Sequence, residues 1–140
     1  MKKLFLGLAM TIGLVIVSNA QTTYTQTNTI TISAAKSPVA GCPGDYRGSL
    51  KMTNGAASFW LTPPVGTTQA TFTDVSGYGT PYRSAVAVQR RADGMIWCST
   101  NGTVTFPATN TATYQLVLYV KTPTPTNATS QAVIAQVVWQ

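Results

Sequence analysis

Few side chains of this chain can move a proton. There is no histidine, and the three acidic residues are all aspartates: Asp45, Asp74 and Asp93. A Ser-His-Asp device is excluded by the missing imidazole. Glycoside hydrolysis needs two facing carboxylates. Asp93 is accounted for by a turn, which leaves only Asp45 and Asp74 for that role. Zinc needs imidazole, thiolate or carboxylate ligands, and a bridged cysteine pair supplies none. A calcium site from Asp45, Asp74 and backbone oxygens has no Asp-rich loop behind it. The residues predict no enzyme, no metal site and no cofactor.

Binding chemistry is better provided for. Aromatic faces suit sugar rings, and arginine adds polar or anionic recognition. The candidate group is Trp97 with Arg91 and Gln89, joined by Tyr78 from the glycine loop Val75 to Pro81 and by Tyr82 just after it; Tyr46 and Trp139 are further aromatic candidates. Against this stands a structural role: Trp97 packed under a neighbouring strand or loop, the tyrosines in loop packing, and Arg90 and Arg91 as a solvated hairpin end.

The element that must position this group is a hairpin over Pro81 to Thr100, PYRSAVAVQRRADGMIWCST. Two apolar runs flank Asp93-Gly94, a hairpin-turn signal. A two-residue turn puts Cys98 on the face opposite Val86 and Val88. A three-residue loop, Ala92 to Gly94 with Gly94 left-handed, sets Val88 opposite Cys98 and Arg90 opposite Ile96. That register gathers Val86, Val88, Ile96 and Cys98 on one face and is the one expected. It leaves Gln89, Arg91 and Trp97 together on the other.

Elsewhere the pattern is that of strands. Gln21 to Ser33 alternates, with Tyr24, Ile30 and Ile32 on one side and a threonine row, Thr23 to Thr31, on the other. A flat threonine row can match an ice lattice, but one row without a stacked repeat reads as an exposed strand face. Short strands are expected at Ser49 to Thr53, Ala57 to Thr62, Gln69 to Thr73 and Thr103 to Phe106, the last after a turn at Asn101-Gly102. Tyr114 to Lys121 is apolar on both faces, so both should be covered. Gln131 to Gln140 is the last strand. No stretch shows helical period with caps. Seven to nine short strands with frequent turn signals predict an all-β, single antiparallel β-sandwich.

Residues 1–20 read as a cleavable signal peptide: Lys2 and Lys3, an apolar run to Val17, and a small-residue site ending at Ala20. The domain is then 21–140, secreted or periplasmic, with no membrane span in the mature form. Cleavage would take the formal charge from +6 to +4. The basic residues are thinly spread, which speaks against a specific nucleic-acid groove. Two cysteines in an exported chain are expected to pair, Cys42 with Cys98. A loop of about 57 residues closed this way is worth roughly 4 kcal/mol in the chain-entropy model.

Phe59-Trp60-Leu61-Thr62-Pro63-Pro64, Thr103 to Pro107 and Thr113-Tyr114-Gln115-Leu116-Val117-Leu118 together resemble the fibronectin type III and immunoglobulin-like pattern. The resemblance spans roughly Ser49 to Gln140. It implies a core tryptophan at Trp60 before a proline-rich turn, and a tyrosine corner at Tyr114. Fibronectin type III domains usually lack a disulfide, and Ile96 stands where the antibody pattern has a tyrosine two before the second cysteine. The resemblance bears on architecture alone.

The functional expectation is a secreted, non-catalytic binding or adhesion module for extracellular polysaccharide or a cell-surface protein. The alternative is a structural subunit of a fibre or surface layer that self-associates by exchanging its terminal strands. An inhibitor or chaperone that inserts the loop Val75 to Tyr82 into a partner ranks below both.

Overall fold

A computed structural model describes residues 21–32, 46–47, 56–77, 83–121 and 129–140. The leader expected at 1–20, Cys42, Asp45, Tyr78, Tyr82 and the strand expected at 49–53 lie outside the described residues. Among those described there are nine strands and no helix. They are β1 (Thr22–Ile32), β2 (Tyr46–Arg47), β3 (Ala56–Leu61), β4 (Gln69–Asp74), β5 (Arg83–Arg90), β6 (Met95–Ser99), β7 (Thr103–Pro107), β8 (Tyr114–Lys121) and β9 (Thr129–Trp139).

The strands form two antiparallel sheets, one ordered β1-β9-β4-β7 and the other β2-β6-β5-β8-β3. The pairings nest. β5 pairs with β6, β4 with β7, β3 with β8 and β1 with β9, all antiparallel. The eight longer strands are thus one long hairpin folded over on itself, its tip at the β5–β6 turn. Folding it over adds the β4–β9 and β5–β8 contacts that close each sheet. This is jelly-roll connectivity, with β2 as a two-residue extra edge. It corrects the immunoglobulin or fibronectin type III expectation. In that fold the last two strands are neighbours in one sheet. Here β8 and β9 lie in different sheets, and β9 sits between β1 and β4.

The core follows from period-two alternation. Ala57, Phe59, Ala70, Phe72, Leu116, Leu118, Val133 and Val137 point between the sheets and are buried. The rings interlock: Phe59 meets Phe72 edge-on at 5.8 Å, and Phe106 meets Tyr114 at 5.4 Å. β8 is apolar on both faces for the expected reason. Val117 and Tyr119 join Ala85, Ala87 and Ile96 in a second buried cluster on the outer face of the five-stranded sheet.

The hairpin register differs from expectation by one residue. Val88 pairs with Trp97 and Ala87 with Cys98. The loop holds four residues, Arg91 to Gly94, and the Gly94 N–H donates to the Arg90 carbonyl at 2.9 Å. Gly94 is left-handed, at φ 70°. One more loop residue turns every side chain of β6 to the other face. Trp97 therefore goes into the core with Val86 and Val88, while Ile96 and Cys98 go outward.

The expected Cys42–Cys98 staple cannot be counted among the contacts of the described residues. Cys42 is not described, so no bridge runs between described residues, and Cys98 itself is not a free thiol. Among the described residues the two sheets are held face to face by their shared core.

Candidate ligand-binding face

β3 decides where the surface aromatic lies. With Ala57 and Phe59 facing the core, Ser58 and Trp60 must face out. Trp60 is 50% exposed, which overturns its expected place as the core tryptophan. Trp97 and Trp139 are both buried, at 6% and 5%.

Cross-strand register then assembles a face around Trp60. Trp60 pairs with Gln115 of β8, and Gln115 pairs with Gln89 of β5. The next outward-facing row is Thr62, Thr113 and Arg91. The Thr62 and Thr113 hydroxyls lie 3.3 Å apart, and the Arg91 N–H donates to the Thr113 carbonyl at 2.9 Å. The Arg91 guanidinium sits 5.7 Å from the centre of the Trp60 ring, a cation–π arrangement. Aromatic, amide, hydroxyl and guanidinium groups thus share one end of the outer face, beside the buried cluster around Val117.

Of the residues expected to bind ligand, Arg91 and Gln89 are brought to this face. The Gln89 side-chain amide reaches the Gly94 carbonyl at 3.4 Å, so it also props the hairpin loop. Trp97 is on the other side of the sheet. Its ring packs 5.9 Å from Phe106, and the Arg90 guanidinium lies 5.4 Å from its centroid at the rim of the core. The physical reason is the four-residue loop. Tyr78 and Tyr82 lie outside the described residues, as do the side chains of β2.

Adjacent arginines therefore serve two tryptophans on opposite faces of one sheet. Arg90 is held by Asp93 through bonds of 2.9 and 2.7 Å. Hydrogen bonding to Asp93 raises the Arg90 pKa further above its ordinary value. Arg91 is exposed and lies over Trp60. Sequence reasoning missed Trp60 as a surface residue because the family pattern overrode the strand's own alternation, in which Phe59 and Trp60 cannot both face the core.

Tyr114 behaves as the resemblance implied, on a different topology. It opens β8, is fully buried, and its hydroxyl accepts a hydrogen bond from the Thr109 N–H at 3.2 Å. Among the described residues no three His, Cys, Asp or Glu side chains come together to hold a metal. No helix among them is long and apolar enough to cross a membrane. Comparison of the chain with protein families, with curated proteins and with solved structures found no match.

Proposed function

We propose that this is a non-catalytic carbohydrate-binding module of the cell exterior, acting through Trp60 and Arg91. The observation that carries the reading is a half-exposed indole held under a guanidinium at 5.7 Å, while both other tryptophans are buried. A pyranose ring stacks its C–H face on the indole. Gln115 and Arg91 then meet the ring hydroxyls, or a carboxylate in an acidic sugar. The leader-like pattern of residues 1–20, two lysines, an apolar run and a small-residue site, supports a place outside the cytoplasm.

Intrinsic fluorescence tests it, because Trp60 is the tryptophan a ligand would reach. Titration with polygalacturonate and with neutral dextran is expected to shift the emission. Trp60→Ala should abolish the shift. Arg91→Ala should weaken the acidic polymer by about tenfold, or about 1.4 kcal/mol, and leave dextran little changed. The reading is wrong if neither polymer nor a glycan array gives a signal, or if binding survives Trp60→Ala.

The fibre reading drew on exchange of terminal strands. β1 and β9 instead pair with each other along eleven consecutive residue pairs, from Thr22 with Trp139 to Ile32 with Thr129. That favours the binding module.

A further inference from the structure

Four of the described strands are sheet edges: β1 and β7 in one sheet, β2 and β3 in the other. An edge offers unpaired N–H and C=O groups to any passing strand, and proteins usually blunt it with shortness, proline or charge. Three of these edges are blunted. β2 has two residues. β7 has five and ends in Pro107. β3 has six and is followed by Pro63 and Pro64. β1 has none of these devices. It runs for 11 residues with no proline, glycine or charge. Its pairing with β9 is one-to-one throughout, without a bulge. Its outward residues Thr23, Thr25, Thr27, Thr29 and Thr31 are all exposed.

The sequence of β1 is also complementary to its own reverse. Set two copies antiparallel with Thr27 opposite Thr27. Thr25 then meets Thr29 and Thr23 meets Thr31, giving threonine pairs along the outer face. On the inner face Gln26 meets Asn28, and Tyr24 meets Ile30. Threonine pairs and aromatic–β-branched pairs are favourable across antiparallel strands, and no like charges are opposed. The amides are ready for this, since Gln26 already donates to Asn28 at 3.1 Å and accepts from the Tyr24 hydroxyl at 2.9 Å along the strand. Tyr24 is 37% exposed at this rim, an apolar surface that a second copy covers.

From this we infer that the β1 edge docks a second copy of the chain, two β1 strands pairing antiparallel about a twofold axis through Thr27. The two four-stranded sheets then merge into one of eight strands, joined by roughly ten new backbone hydrogen bonds. The contact is isologous and closes on itself. It yields a dimer with two Trp60 faces, not a fibre, and so multiplies weak sugar contacts by avidity. It does not depend on the sugar reading.

Light scattering or sedimentation of the purified protein, from micromolar to about 1 mM, reads the mass. A concentration-dependent dimer is expected. Thr25→Lys, a change on an exposed face, should weaken it at least about tenfold with unaltered circular dichroism. Adding Thr29→Asp to the same chain should restore it, because position 25 of one copy faces position 29 of the other. Thr71→Lys, on the same face but away from the edge, should leave the dimer intact. A monomer throughout the range overturns the proposal, as do open-ended polymers. So does a dimer that ignores Thr25→Lys or is not restored by Thr29→Asp.

Discussion

Two tryptophans in similar company behave oppositely, and substitution should separate them. Trp97 is packed among Phe106, Val86 and Val88, so Trp97→Ala is expected to cost about 3–5 kcal/mol in urea unfolding. Trp60→Ala removes a half-exposed ring and one cation–π contact, and should cost under about 1 kcal/mol. The reverse ranking would mean that the faces of β3 and β6 are misassigned. Trp60 was legible from the sequence: Ala57, Phe59 and Leu61 claim the inner side of a strand, and Trp60 falls between them. Trp97 was not, because its side depends on how many residues the preceding loop spends.

At the scale of elements, that loop is the controlling feature. Asp93-Gly94 announces a turn, and Gly94 adopts the left-handed conformation expected of it. The Asp93 carboxylate also binds Arg90 and accepts from the Met95 N–H at 3.3 Å. These contacts support a loop that begins at Arg91, one residue earlier than the shortest glycine-bulge hairpin. Burial of an indole in place of a cysteine side chain favours the longer loop, since the indole has far more apolar area to remove from water. Gly94→Ala is expected to cost about 1 kcal/mol in chemical denaturation, because alanine resists positive φ. No loss of stability would mean that the loop has a different conformation in solution. Gly102 makes a similar demand where the chain crosses from β6 to β7 in the other sheet. Its φ is 80°, and a Cβ there would lie 2.6 Å from the Ser84 hydroxyl.

For the whole molecule, composition sets the response to pH. With no histidine, no side chain has an unperturbed pKa between about 5 and 8. Arg90, the group held above its ordinary range by Asp93, contributes stability that is fully present below the arginine range and lost only in strong alkali. The pair is partly exposed, so this contribution is under about 1 kcal/mol. The thermal midpoint is therefore expected to be flat, within about 2 °C, from pH 5.5 to 8 by circular dichroism. A sigmoidal step in that window would require a strongly perturbed side chain, such as a carboxylate raised by burial.

The sequence by itself determined where most of the strands lie, which side of β4 and β8 faces the core, and how little acid–base chemistry the chain can do. These are local properties: alternation repeats every two residues, and absent side chains cannot be supplied by folding. Only the tertiary structure decided the strand order, the register of β6 and the meeting of Arg91 with Trp60. Sandwich folds of different connectivity use the same strands. Choosing among them rests on pairings such as Thr22 with Trp139, whose energy comes from burying two complete sheet faces at once and leaves no mark in either strand alone.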